Sequence, residues 1–167
     1  MFIDRKFPKT RLRRLRANAN IAELIAESSL SQTDLIQPLF VKEKLVGTEA
    51  IESMPGISRY SEDSILKEIE EVLETGIKSI ALFPVIDKTK KDSSGKEAIN
   101  KSNLICNSIR KIKDRFPEII IIADVALDPY TDHGHDGLLV NGYVDNDLTL
   151  DILKSQSLVL PKSGYDF

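Results

Sequence analysis

Ile119-Ile-Ile-Ile-Ala-Asp-Val-Ala-Leu127 is the stretch that decides the fold. Its apolar run ends far short of the roughly 20 residues a membrane span requires, so it predicts a buried strand. Ser79-Ile-Ala-Leu-Phe-Pro-Val85 is almost continuously apolar too, as expected of a parallel strand covered on both faces. Leu35-Ile-Gln-Pro-Leu-Phe-Val41 predicts the first strand, in which Pro38 marks either irregular backbone or a local distortion. Between the first two, Ser61 is a candidate N-cap, and Ile65, Leu66, Ile69, Val72, Leu73 and Ile77 recur at helical spacing, with Gly76 as the stop. A second helical pattern uses Leu104, Ile105, Ile109 and Ile112 and ends at Phe116-Pro117, and a third spans residues 147 to 160. Gly164 then breaks the pattern before Tyr165-Asp-Phe167.

Strand starts near residues 36, 79, 119 and 165 lie about 40 residues apart with a helix in each gap, the rhythm of a parallel α/β sheet. Periodicity alone leaves open a doubly wound sheet or part of a (β/α)8 barrel. No GxGxxG or GxxxxGK[ST] follows a strand, which disfavours a nucleotide-binding sheet. Ser53-Met-Pro-Gly56 reads as a turn, and the polar loop from Asp87 through Gly95 reads as solvated.

Of 167 residues, 41% are apolar and 29% charged, enough for one packed core. The net charge of -3 hides an asymmetry. Residues 1 to 16 carry seven bases (Arg5, Lys6, Lys9, Arg11, Arg13, Arg14 and Arg16) against Asp4, a net +6, while the remainder holds 16 bases and 25 acids, a net -9. Such an arm suits docking on an acidic neighbouring subunit better than nucleic acid. Residues 1 to 34 are assigned to this arm, with a short helix over Ile21 to Ser28 capped by Asn20, and 35 to 167 to the α/β body. No apolar h-region follows the basic residues, so a secretory signal is not expected, whereas an Arg-rich organelle presequence remains compatible. The single cysteine, Cys106, precludes an internal disulfide and a zinc finger and points to a reducing compartment, the cytoplasm. It falls within an apolar helical pattern, which favours a core position over a nucleophile.

The chemistry is concentrated in Asp124-Val-Ala-Leu-Asp-Pro-Tyr-Thr-Asp-His-Gly-His-Asp-Gly137, which holds four carboxylates and both histidines at the carboxyl end of the third strand. Loops there converge on ligands in parallel sheets. Asp128, Asp132 and Asp136 are hard oxygen donors suited to Mg2+, and His133 and His135 are suited to proton transfer. The competing reading makes Asp128 and Asp132 turn caps around Pro129 and Gly134, with solvated histidines. The spacing lacks the alternating ligands and terminal glutamate of an EF-hand.

With Arg11-Leu-Arg-Arg-Leu-Arg16, Leu39-Phe-Val41, Ser53-Met-Pro-Gly56, Ala81-Leu-Phe-Pro-Val85, Asp124-Val-Ala-Leu-Asp-Pro-Tyr-Thr131 and His133-Gly-His-Asp-Gly137 in order, the chain resembles the delta-aminolevulinic acid dehydratases, or porphobilinogen synthases. The resemblance covers essentially the whole chain. It implies a (β/α)8 barrel, present here as its first three to four β/α units, and a basic arm that embraces a neighbouring subunit, usually in an octamer. It implies a lyase that condenses two 5-aminolevulinate molecules into porphobilinogen with loss of water, toward haem and other tetrapyrroles. Zinc-dependent members carry three cysteines where this chain has Ala126, Asp128 and Asp136, so an aspartate-rich form using Mg2+ or K+ rather than zinc is expected. Asp124 matches the strand aspartate near the substrate amino group, an orienting or proton-transfer role. A complete barrel takes about 250 residues. The resemblance places the Schiff-base lysines, the substrate-carboxylate arginines and an allosteric Mg2+ glutamate in the other half, and Lys154 and Lys162 match none of these. The expected state is therefore association with like subunits or a complementary C-terminal half, without turnover by the chain alone. A non-catalytic relic or assembly partner is the alternative.

Overall fold

The computed structural model describes Lys6, Pro8, Thr10 and residues 13–167. Arg5, Lys9 and Arg11 of the basic arm lie outside the described residues. The chain divides into two compact units, Met1–Ser31 and Gln32–Phe167.

In the first unit, helix α1 spans Ala19–Leu24. It is shorter than the predicted segment, and its cap is Asn18 rather than Asn20. The Asn18 side chain accepts a hydrogen bond from Ile21 N–H at 3.0 Å, satisfying a donor that the helix cannot pair internally.

The second unit is built on a five-stranded, mostly parallel sheet. Its strands are β1 (Gln37–Lys42), β2 (Thr48–Ala50), β3 (Ser58–Tyr60), β4 (Ser79–Val85) and β5 (Ile120–Ala123), in the order β2-β3-β1-β4-β5. Only β2 and β3 run antiparallel. Pro38 lies ahead of the Phe40 and Val41 stretch where β1 meets β3, so its missing N–H falls outside that pairing. On the far edge, Asp166 and Phe167 N–H groups donate to the Ile121 carbonyl, and Phe167 accepts from Ala123 N–H. The predicted return of the chain to the sheet near residue 165 is thus observed as backbone pairing.

Helices α2 (Ser64–Glu74) and α3 (Leu104–Arg115) pack on one face. Ser61 and Ser64 exchange side-chain-to-backbone hydrogen bonds at 2.9 and 3.0 Å, a reciprocal cap one turn ahead of α2. Gly76 closes that helix at φ +91, a backbone conformation that side chains disfavour. Leu39, Val41, Ile80, Leu82, Ile121 and Ala123 point toward these helices and are buried against Ile65, Ile69, Ile109 and Ile112. The opposite residues, including Phe40, Ala81, Phe83 and Ile122, are half-buried, so the expected cover on both faces of β4 is not found among the described residues. A helical layer on one side accounts for the difference.

Three further corrections concern the loops. The third strand ends at Ala123 instead of reaching Leu127. Beyond it, Leu127 N–H turns to the Asp136 side chain and the Ala126 carbonyl to the Gln156 side chain, so neither can serve a neighbouring strand. The loop after β4 is not wholly solvated, since Asp92 N–H donates to Tyr130 O, Asp132 N–H donates to Asp92 O, and Gly95 is buried beside Leu127. An unpredicted hairpin, β6 (Leu138–Val140) and β7 (Tyr143–Asp145), turns through Asn141 and Gly142 at φ 52 and 81 and leads into α4 (Asn146–Val159). No helix among the described residues is long and apolar enough to cross a membrane.

Ile109 is fully buried on α3, whereas Leu158 on α4 is 61% exposed. Ile109→Ala is expected to lower the unfolding free energy by about 2–5 kcal/mol. Leu158→Ala should change it by less than about 0.5 kcal/mol. Urea denaturation of the two variants checks the contrast.

Candidate functional site

The parallel strands β1, β4 and β5 point their carboxyl ends the same way, and a cavity of about 310 Å³ opens there. Phe40 from β1, Phe83 from β4, Arg59 from β3, Met54 from the preceding turn, and Asp124 and Asp128 from beyond β5 contribute to its wall. The two phenylalanine rings lie 5.6 Å apart between centroids and give it an apolar floor.

Burial raises the Asp124 carboxyl above its ordinary range, and the neighbouring charges of Asp128 and Asp136 raise it further. Asp128 is raised for the same two reasons, burial first and Asp136 second. These three predicted site residues therefore share one electrostatic environment. Asp136 also braces the backbone, because its Oδ1 accepts from the buried Leu127 N–H at 2.5 Å. Asp132 is brought to the same loop but is exposed, and its backbone N–H is engaged by the Asp92 carbonyl.

The histidines serve their own loop. His135 N–H donates to His133 Nδ1 at 3.1 Å, and Thr131 Oγ1 donates to the His135 carbonyl at 2.9 Å. His133 Nε2 is buried and has no hydrogen-bond partner among the described residues. Cys106 is buried in α3 as a free thiol, as expected of a core position.

Oxygen is the only donor type offered at positions 128 and 136, and Ala126 offers none, so the set does not suit zinc held by thiolates. Among the described residues no three His, Cys, Asp or Glu side chains come together closely enough to hold a metal ion. Two carboxylates completed by water are a common Mg2+ environment, so these donors are of the type that such an ion takes.

Several parts of the site carry no local signal in the sequence. Gln156 of α4, fully buried, donates through Nε2 to the Ala126 carbonyl at 3.2 Å and so supports the turn between Asp124 and Asp128. Gly137 leaves no room for a side chain, since a Cβ there would sit 2.5 Å from Val144 and 2.8 Å from Thr149 Oγ1. The hairpin that encloses Gly137 does have a signal, Asn141-Gly142 between apolar residues. Arg59, Phe40 and Phe83 reach the cavity through strand register.

The sequence model of the family described as delta-aminolevulinic acid dehydratase matches residues 9–167. The chain belongs to the delta-aminolevulinic acid dehydratase family. The enzyme of that name from Chlamydia pneumoniae is 44% identical over 156 residues, covering 93% of this chain and 47% of that protein. The one from Helicobacter pylori is 45% identical over 157 residues, covering 93% and 48%. A crystal structure of the Toxoplasma gondii ME49 delta-aminolevulinic acid dehydratase (porphobilinogen synthase), in complex with its reaction product porphobilinogen, superposes with a TM-score of 0.89 at 39% identity. The match covers 94% of this chain and 45% of that one. The chain thus spans about half the length of the curated relatives it matches.

Asp136→Ala leaves the Leu127 N–H without its acceptor and is expected to cost about 1–3 kcal/mol, with faster amide exchange at Leu127. Asp136→Asn keeps the oxygen and should recover most of the loss in urea denaturation. Asp124 offers a test by pH. A carboxyl raised in the native state binds a proton on folding between its unfolded and folded values, so stability falls as pH climbs through that interval. For Asp124, whose ordinary value is 3.8, the stability of Asp124→Asn relative to the parent should rise as pH increases above that value. Urea denaturation at a series of pH values checks this, and a flat difference would show that Asp124 titrates alike in both states.

Proposed function

We propose that this chain forms part of a porphobilinogen synthase, a lyase that condenses two 5-aminolevulinate molecules into porphobilinogen on the way to haem and other tetrapyrroles. One observation carries the reading: Asp124 and Asp128 meet a cavity with an aromatic floor at the carboxyl ends of a parallel sheet, in a chain of this family. Asp124 is the residue for the substrate amino group. Raised by burial and by two neighbouring acids, its carboxyl is poised to hold and pass a proton while accepting hydrogen bonds from an ammonium or amine. Asp128 adds negative charge beside it, and Asp136 anchors the segment between them through Leu127.

Asp128 and Asp136, completed by water, are the groups that would hold a hydrated Mg2+ or a K+ ion, with the exposed Asp132 farther out on the loop. Such an ion would offset the mutual repulsion of the carboxylates and polarise a bound oxygen. The partial (β/α)8 barrel, the docking of the basic arm on another subunit and the cytoplasmic setting belong to the same reading. They rest on the family, on the +6 arm and on the lone buried cysteine.

Turnover requires an amine nucleophile that this chain does not supply in the reading. The lysines the family uses for Schiff bases match no lysine here, and Lys154 and Lys162 belong to α4 and the turn after it. Purified chain with Mg2+ should therefore form no porphobilinogen from 5-aminolevulinate. Addition of a polypeptide carrying the remaining barrel strands and their lysines should restore formation. Asp124→Asn should reduce the restored rate about 100-fold or more, the scale of a lost proton-transfer group. Turnover by the chain alone would overturn the assignment of the lysines, and full activity of the Asp124 variant would overturn the role of Asp124.

A further inference from the structure

We propose that Lys91 is a built-in counter-ion of the acid loop, which lowers the affinity of Asp128 and Asp136 for a divalent cation and keeps that cation exchangeable. The inference rests on the reading of those two aspartates as a cation site and adds to it the residue that sets the site's affinity.

The strap between β4 and α3, residues 87–100, is fastened at both sides of Lys91. Ahead of it, the Glu43 carboxylate just past β1 accepts from Asp87 N–H at 2.9 Å and from Lys90 Nζ. Lys90 also pairs with Glu97 at 3.4 Å, so its charge is shared between two acids. Behind it, Asp92 forms a parallel bridge with Thr131. Asp92 N–H donates to the Tyr130 carbonyl at 3.3 Å, and Asp132 N–H donates to the Asp92 carbonyl at 3.2 Å. The Tyr130 and Thr131 N–H groups in turn donate to the Leu127 carbonyl at 2.8 and 2.9 Å, which closes the chain around Asp128 into a turn. The strap is therefore tied to the turn that carries Asp128, and Lys91 is the residue next to the tie.

The side chains flanking Lys91 are committed elsewhere. Lys90 serves Glu43 and Glu97, and Asp92 Oδ1 accepts from Ser94 N–H at 2.8 Å and Ser94 Oγ at 2.7 Å within its own turn. Lys91 has extended backbone, φ -79 and ψ 136, so its side chain leaves on the side opposite to that of Asp92. The residue is half-buried, and its charge reaches the acid loop. Burial and Asp136 raise the Asp128 carboxyl, while the Asp128 backbone N–H and the Lys91 ammonium draw it down. A tethered ammonium gives the loop one positive charge that does not diffuse away. An ion arriving at Asp128 meets that charge, and a dication is repelled by it about twice as strongly as a monocation.

The test is a titration of the full chain, isotopically labelled, with MgCl2 at constant ionic strength, followed by the amide shifts of residues 124–137. Lys91→Gln should bind Mg2+ about fivefold more tightly than the parent, the scale of one partly exposed ion pair. Lys91→Arg keeps the charge and should stay at the parent's affinity. Lys88→Gln removes an equal charge from an exposed position of the same strap and should change the affinity by less than about twofold. The gain in Lys91→Gln should shrink as salt is raised, as a charge effect does and a change of loop packing does not. An amide spectrum matching the parent's outside the strap and the acid loop shows that each variant is folded. Equal or weaker binding by folded Lys91→Gln, or a gain in Lys91→Arg as large as that in Lys91→Gln, overturns the role of Lys91 and leaves the cation site standing. Absence of Mg2+ shifts in every variant, or shifts unchanged in Asp128→Asn, overturns the cation site and the role of Lys91 with it.

Discussion

Strand β4 is the shared partner on which the site depends. It pairs with β1 along nearly its whole length and with β5 over Ser79 to Leu82, so a single ladder fixes which residues of three strands stand level. Slippage by one residue would turn Ile80 and Leu82 away from the helices and bring Phe83 into their place. Burial of Val41, Ile80, Leu82 and Ile121 against Ile65, Ile69, Ile109 and Ile112 makes that slip costly. The same register is what sets Phe40, Phe83 and Asp124 on the other face. The core thus positions the site through strand register.

Past the end of β5 the chain must leave the ladder and still hold three acids near one another, an arrangement their mutual repulsion opposes. It does so by tying down the backbone rather than the acids. Leu127 N–H is fixed by Asp136, the Ala126 carbonyl by Gln156 and the Asp92 backbone by its neighbours across the loop, Tyr130 and Asp132. Leu127 and Tyr130 supply apolar anchors in the core between these bonds. Asp124 and Asp128 are left with raised carboxyls and access to the cavity. Asp136 is the compromise, with one oxygen serving the backbone while its charge acts on the other two acids.

The parts legible in the sequence are those governed by local periodicity. Ser79 to Val85 and the helix from Leu104 occur where the apolar runs and the Gly76 and Pro117 stops place them. The third strand is shorter than its apolar pattern because Val125, Ala126 and Leu127 continue that pattern although they are packed within a loop, and burial alone does not distinguish the two. Three-residue strands such as Thr48–Ala50 and Ser58–Tyr60 are too short for a period to register. The acid-rich segment is visible as a candidate site because its residue types are dense and follow a strand, and family resemblance suggests the role proposed for Asp124. Arg59 stays hidden because its place opposite Phe40 is a fact of pairing between distant segments. Gln156 is hidden for the same reason, since its partner Ala126 is 30 residues away.

In the proposed reading, the acid cluster also constrains where a nucleophilic lysine can stand. A lysine that forms a Schiff base must lose its proton, which burial or a neighbouring cation promotes and neighbouring carboxylates oppose. A nucleophilic lysine set among Asp124, Asp128 and Asp136 would be held as an ammonium and, in the proposed reading, would compete with a substrate amino group for the same oxygens. Gripping an ammonium and attacking as a free amine therefore require separate environments within one cavity. The acids occupy the carboxyl end of β5, and an apolar floor of Phe40 and Phe83 separates them from Arg59, which shares the Glu49 carboxylate with Lys42. The described face is thus polar in a definite sense, with its acids at one end of the aromatic floor and Arg59 at the other.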